Sequence, residues 1–387
     1  MLNNQITAEQ IKSYKNMLRI LGELSKLFND GSKPFLYYRC HENVFCKYLN
    51  AENLAREDCS VDAKIGSMGV GLKTWVGNDL QKVAEFNNLR SRYDQLEGIE
   101  LCKEISRLRN RRIQFTIDSH GLKEIKYHIV KRDTGAMKLM EHSFDMIDVD
   151  NIKLLSSRDC KNPKFTDGKH TYSFNNSKST LFMYFDELKL YDTIRVSIND
   201  DPFEILEKMD GAYNEAVFAG NEIEYPQLCL KLYTVDRSTG QKTVNIKSGL
   251  NQWNAAGRKR DADELYIPYP SADRERNLNF FPPRDKNFDL ILPNGKTISA
   301  KVCQDSGKAI MSNPNKELGH WILRDLLKVK ERELVTMKTL EDCGIDCVVF
   351  TKISDNKYKI HFGPLGTYEK TYGQDSNDEE QIAEFDE

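Results

Sequence analysis

Asp62 and Lys73 are separated by ten residues in the segment SVDAKIGSMGVGLKTWVGNDLQKVAEFN, residues 60–87. A carboxylate can hold a divalent cation, which polarises a phosphate and lowers the pKa of a water. A lysine beside that water and phosphate supplies the positive charge that phosphodiester hydrolysis develops a need for. The pair therefore offers part of a metal-dependent phosphodiesterase and lacks a second acid. Gly71, two residues before Lys73, carries no acid. A helix expected to begin at Asn78-Asp79 would put Gln81 and Glu85 on one face, four residues apart. The expected centre is thus Asp62, Lys73 and Glu85, with Asp62 and Glu85 as the Mg2+ ligands. Glu42 or Glu52, on the preceding helix, are the alternatives. The structural reading of the same residues is a turn cap for Asp62 and a surface strand position for Lys73.

A second set of polar residues lies in SGLNQWNAAGRKRDADELYIPYP, residues 248–270. Arg pairs bidentately with guanine, Asn with adenine, and Asp or Glu accepts from cytosine, whereas pure phosphate binding needs only cations. Asn251, Trp253, Asn254, Arg258, Lys259, Arg260, Asp261 and Glu264 together have the mixed composition that base reading requires. A second polar loop, 304–317, adds Lys308, Asn313, Asn315 and Lys316. As plain structure, Arg258 to Arg260 would form a solvated turn and Trp253 a core anchor.

The elements that position these residues fall into two textures. Ile11, Tyr14, Leu18, Leu21, Leu24 and Phe28 recur at helical spacing over 8–28, with Thr7 and Gln10 as a capping box. A second helix is expected over 42–56, and a third helical run from 78 to about 110 with a break near Gly98. Strands are expected at IQFTID, EIKYHIV, SFDMIDVDNIKLL and STLFMYF, so residues 1–190 form an α/β domain. A connector, 191–225, carries a short helix from Asp201-Pro202. From Pro226 the chain alternates short strands with turns such as Asn294-Gly295 and Asp355-Asn356. Seven short strands with two helices, at NKELGHWILRDLLKV and TMKTLEDCG, predict a β pseudobarrel over 226–365. The fold class is therefore a two-domain α+β protein.

The net charge is −3, yet the last thirteen residues hold seven acids and no base, so removing seven negative charges leaves the rest at +4. Residues 366–387 are accordingly expected to be a solvated acidic tail. No run approaches the roughly 18 apolar residues of a membrane span, and no signal peptide is visible, which points to the cytoplasm. Nine scattered cysteines, Cys343 and Cys347 included, do not make two zinc-ligand pairs and are expected mostly in the core. The absence of a phosphate-binding Gly-Lys-Ser/Thr loop argues against a nucleotide-driven translocase.

Ser248 to Asn251, Tyr266-Ile267-Pro268, Phe280-Phe281-Pro282, Gly307-Lys308-Ala309 and Leu318-Gly319 occur in an order that resembles the DNA-recognition domains of certain type II restriction endonucleases. That resemblance implies a seven-stranded pseudobarrel, shared with plant hormone-response transcription factors, with two major-groove arms near 248–264 and 304–317. Gln252-Trp253 stands where those enzymes carry Trp-Gly. In the N-terminal half, Asp62 and Lys73 resemble the PD-(D/E)XK nucleases, in which the Asp lies on one strand of a hairpin and an acid-x-Lys on the next. The two resemblances together imply a type II restriction endonuclease that hydrolyses duplex DNA with Mg2+. They also imply a homodimer at least during cleavage and a cognate DNA methyltransferase acting on the same site. Two alternatives remain open: a non-cleaving, sequence- or methylation-sensitive DNA-binding protein, and a metal-independent phospholipase-D-like nuclease with a histidine nucleophile. The second needs His-x-Lys; Lys123 lies three residues after His120, and Tyr172 stands two after His170.

Overall fold

The structure, a computed structural model, describes residues 6–55, 59–155, 160–208, 225–236, 239–255 and 259–373. The chain divides into two compact units. The first comprises Met1–Ile113 and Leu122–Ile223, the second Gln114–Gly121 and Glu224–Glu387. No described helix is long and apolar enough to cross a membrane.

The first unit begins with helix α1 (Ala8–Glu23), whose N-terminus has the expected capping box, Thr7 and Gln10 each bonding the other's backbone N–H. Helix α2 (Tyr38–Leu49) starts earlier and ends sooner than expected, because Asn50 turns left-handed (φ 52°) and closes it. The strands of this unit are β1 (Glu52–Asn53), β2 (Ala63–Ile65), β3 (Met68–Val76), β4 (Leu80–Glu85), β5 (Glu124–Asp133) and β6 (Ala136–Ser143). They continue with β7 (Lys153–Leu154), β8 (Lys164–Thr166), β9 (Thr171–Asn175), β10 (Thr180–Tyr184) and β11 (Lys189–Arg195). One sheet has the order β1-β2-β3-β5-β6-β11 and a second the order β4-β10-β9-β8-β7. All neighbours are antiparallel except β3 and β5. A parallel neighbour needs a crossover, and helix α3 (Gly98–His120) lies between those two strands in the chain.

Three expectations are corrected in this unit. Residues 80–85 form β4 rather than a helix, because Asp79 is not a helix cap. Its carboxylate accepts from Trp75 Nε1 (2.9 Å) and Lys131 Nζ (2.6 Å), and its carbonyl accepts from Phe185 N–H (2.9 Å), which sends the chain into the second sheet. IQFTID is the C-terminal part of α3 rather than a strand. Leu101, Ile105, Leu108, Ile113, Thr116 and His120 are buried at helical spacing, which overrides the local β preference. Most of SFDMIDVDNIKLL is loop, tied to α3 by Asn110, whose side chain bonds both the N–H and the carbonyl of Ile147. The expected boundary at 190 falls inside β11, and helix α4, from 202 and described to 208, occupies the expected place.

The strands of the second unit are β12 (Gln227–Lys231), β13 (Thr234–Val235), β14 (Lys242–Thr243), β15 (Ile267–Pro268) and β16 (Asn287–Ile291). The remaining four are β17 (Thr297–Cys303), β18 (Ala309–Ser312), β19 (Ile345–Ser354) and β20 (Lys357–Pro364). Seven of them form one nearly barrel-shaped sheet, β12-β19-β20-β16-β17-β18-β15, as the strand count predicts. The Asn294-Gly295 turn joins β16 to β17, with Gly295 at φ 87°, and Asp355-Asn356 joins β19 to β20. The core is apolar and aromatic, with Phe281 against Phe288, Phe350 and Tyr358. Helix α5 (Ser271–Arg276) is an element the sequence did not announce. Helix α6 (Glu317–Gly319) runs into a π-helical segment, His320–Leu326, and helix α7 (Met337–Cys343) has Thr336 as its cap. Helix α8 (Thr367–Tyr372) lies where the acidic tail was expected to begin. Tyr368 is buried and donates to Asp273 (2.7 Å), while Glu369 pairs with Lys242 (2.7 Å). Residues 374–387 of that tail lie outside the described residues.

Candidate active site and nucleic-acid interface

Asp62 immediately precedes β2 and Lys73 lies on β3, so the two belong to one hairpin. The Asp62 N–H donates to the Val70 carbonyl (2.9 Å), and a carboxylate oxygen accepts from the Leu72 N–H (2.6 Å). Both side chains thereby share a neighbourhood with Glu42 of α2. Glu42, Phe45 and Leu49 recur at i, i+3 and i+7 on the buried face of that helix, which carries the acid inward. The face is held in register by a polar chain. The Tyr14 hydroxyl lies 3.0 Å from His41 Nε2 and 2.8 Å from His128 Nε2, and Tyr191 completes it at His128 Nδ1 (2.8 Å). Burial pushes the His41 imidazole down to about 3, with Arg132 acting in the same direction, so the chain is uncharged at neutral pH.

The electrostatics of the three groups are coupled. Burial raises the Glu42 carboxyl above its ordinary value and Asp62 raises it further, while Arg39, paired at 2.9 Å, and Lys73 oppose the shift. Burial also raises Asp62, against Lys73, the Leu72 N–H and Arg39. Lys73 is lowered, again chiefly by burial, with Lys82 and Arg109 adding to the effect and Asp62 and Glu42 opposing it. Two acids and one ammonium, each shifted toward its neutral form chiefly by burial and each acting on the others, make a site with excess oxygen donors.

Gly71 is now explained. A Cβ there would stand 2.8 Å from the Tyr127 ring and 2.9 Å from Phe144, which stack on each other at 4.1 Å. Tyr127 is the register partner of Gly71 on β5, so aromatic packing fills the space of a side chain at 71. The structure does not bring Glu85 into this group. It lies at the end of β4, in the other sheet, ion-paired with Lys82 and accepting from Asn87 (2.5 Å). Glu52 is half exposed and 3.8 Å from Lys64. Arg109 of α3 is a neighbour that the sequence reading missed. It is buried over the Phe144 ring, donates to the Asp145 carbonyl (2.8 Å), and leaves Nε and Nη2 without a hydrogen-bond partner among the described residues. A buried arginine at helical spacing from Leu101 and Ile105 was the available signal.

In the second unit the two polar loops divide into inward and outward residues. Asn251 is wholly buried. Its amide donates to the carbonyls of Asn245 and Val335 (3.0 Å each) and accepts from the Val335 N–H (2.8 Å). The expectation that it reads bases is corrected: its hydrogen-bonding groups fasten the loop to the barrel. Glu264 is also buried, with its carboxylate 4.0 Å from Arg260, and Arg260 is half-buried and bonds the Ala255 carbonyl. Trp253, Lys308 and Asn315 are half-buried. Asn254, Lys259, Asp261, Asn313 and Lys316 are exposed, and Arg258 lies outside the described residues. An exposed ion pair, Lys316 to Asp261 at 3.6 Å, bridges the two loops. Asp263 anchors the first loop to the π-helical segment through Arg324 (2.7 Å) and His320 (2.8 Å).

No curated protein matches the chain. Residues 227–354, which take in both loops and every strand of the barrel except β20, match the family model described as the NgoFVII C-terminal B3-like DNA-binding domain. The second unit therefore carries a DNA-binding domain of restriction-enzyme type, and DNA is the partner that this domain supports.

Proposed function

We propose that the chain is a type II restriction endonuclease, hydrolysing phosphodiester bonds of duplex DNA at a sequence chosen by its B3-like domain. The convergence of Glu42, Asp62 and Lys73 on one hairpin and one helix face carries this reading. The donor set fits Mg2+: carboxylate oxygens are its ligands, and one Asp62 oxygen is fixed by the Leu72 N–H. Mg2+ held there supplies Lewis-acid polarisation of the phosphate and a more acidic water. Glu42 and Asp62 would hold it, and Lys73 would align the attacking water and balance the phosphate's growing charge. Arg109 adds a buried cation to the same region. Two strand breaks per site call for two such centres, so a pair of chains acts during cleavage, and a cognate methyltransferase protects the host's copies of the site.

Lys73→Ala is expected to cut duplex DNA about 10²–10⁴-fold more slowly while its band-shift affinity stays within a factor of about three, as the recognition residues lie elsewhere. Unchanged cutting by that variant would place the centre elsewhere. Wild-type binding without cutting in Mg2+ or Mn2+ would favour the non-cleaving reader, and cutting undiminished by EDTA the histidine nucleophile.

On the recognition side, Lys259 and Lys316 are proposed phosphate contacts, and Asn254, Asp261 and Asn313 proposed base readers. A phosphate would replace Asp261 as the partner of Lys316 at little cost, since exposed ion pairs contribute only about 0–1 kcal/mol. Lys259→Ala with Lys316→Ala should reduce the slope of log affinity against log salt by about one unit per lysine. A slope unchanged by both, in filter-binding titrations, would take these lysines off the DNA.

A further inference from the structure

We propose that His142, His170 and Asp186 form a transition-metal site, of the class that takes zinc, which clips the two sheets of the first unit together. One ligand atom from each of the three residues lies within 4.8 Å of the other two. His142 is on β6 of the six-stranded sheet. His170 directly precedes β9 and Asp186 follows β10, both in the five-stranded sheet.

The hydrogen bonds select the nitrogens that face the ion. His142 Nδ1 is 2.8 Å from the Ser143 carbonyl and donates there in the tautomer that a metal would select, which leaves Nε2, 4.0 Å from an Asp186 carboxylate oxygen and beside the Asp186 carbonyl, to face the ion. His170 Nε2 is 2.8 Å from an Asp145 carboxylate oxygen, which places its proton there and the lone pair on Nδ1. His170 is 5% exposed, and that Nδ1 is buried with no hydrogen-bond partner among the described residues. A buried acceptor without a donor calls for an explanation, and a cation supplies one. Ligating histidines characteristically give their second N–H to a carboxylate or a backbone carbonyl, which fixes the tautomer; both rings here do so. Lys169, 2.7 Å from Asp145, steadies the supporting carboxylate. Zinc ligands stand about 2.0–2.1 Å from the ion, so three atoms already this close can close on it by side-chain rotation. Asp186 is exposed. Two imidazoles with one carboxylate suit zinc or a neighbouring first-row ion, whereas the oxygen donors of Glu42 and Asp62 suit magnesium. The two sites are therefore chemically distinct, and this one stands whether or not the chain cuts DNA.

The full-length protein, stripped with EDTA and dialysed, is titrated with Co2+ alone, followed by Zn2+. The expected result is a visible ligand-field band that saturates at one equivalent and is displaced by Zn2+. Because the ion binds the folded state, the unfolding temperature should rise by about 5 °C or more at saturation. The band should persist in a Glu42→Gln, Asp62→Asn double variant. Asp186→Asn and His170→Gln should weaken Co2+ binding at least tenfold. If His170→Gln does not fold, the exposed Asp186→Asn decides alone. No band in the wild type, a band indifferent to Asp186→Asn, or one lost with Glu42 and Asp62 would overturn the proposal.

Discussion

Asp62→Asn is expected to cut DNA at least about 10³-fold more slowly than the wild type, because it removes one carboxylate of the metal-holding pair beside Lys73. Asparagine keeps an oxygen for the Leu72 N–H, so the hairpin should stand. Two further readouts separate loss of metal from loss of fold. Mg2+ should raise the unfolding temperature of the wild type and leave that of the variant unchanged. The pH dependence should also flatten. Asp62 and Glu42 have raised pKa values, chiefly through burial, so the folded chain keeps their protons after the unfolded chain has released its own. Metal-free wild-type stability therefore falls as pH climbs from the ordinary carboxylate range, about 4, up to the raised values, and the fall ends above them. Lys73, lowered by burial, has the opposite window. Its penalty is complete below its folded pKa and fades as pH rises toward the ordinary amine range. A variant that lost cutting but kept the Mg2+ shift and the full pH slope would show that Asp62 is not a ligand.

The second large contrast lies between two acids. Glu42→Gln should lose about 10²-fold or more in cleavage rate, whereas Glu85→Gln should stay within about threefold, as most surface substitutions away from a site do. Glu85 is partly exposed and already occupied by Lys82 and Asn87; glutamine, with one acceptor oxygen, keeps one of those bonds, and losing the exposed ion pair costs only about 0–1 kcal/mol. Single-turnover rates at saturating Mg2+ on one plasmid site measure both. A reversed ranking would restore Glu85 to the centre and remove α2 from it.

The two units were legible in the sequence to different depths. The barrel's strands are short runs with turn residues such as Asn294-Gly295 between them, and the alternation survives folding in strands such as β16, which buries one face, whereas β12 and the first part of β19 are buried on both. The hairpin carrying Asp62 and Lys73 was readable for the same reason. Glu42 was visible only as an alternative, since a helix's inward face depends on its start, and α2 begins at Tyr38 rather than at Glu42. Glu85 was misplaced because Asn78-Asp79 has the composition of a helix cap, and only the bonds from Trp75 and Lys131 reveal another use for Asp79. Asn251 misled in the opposite sense. An amide in a polar loop is equally suited to bonding a base or the backbone, and the backbone group that claimed it, at Val335, is 84 residues away.

The stacked pair of Tyr127 and Phe144 has one more effect. By occupying the volume above Gly71, it shuts the single-step route by which an acid could return to that strand: Gly71→Asp or Gly71→Glu would have to expel an aromatic ring before it met a cation. If the proposed centre acts on phosphate, retuning its charge is left to α2, which the buried Tyr14–His41–His128 chain ties to β5. In the proposed centre, the placement of Glu42 thus rests on three rings in the interior of the first unit.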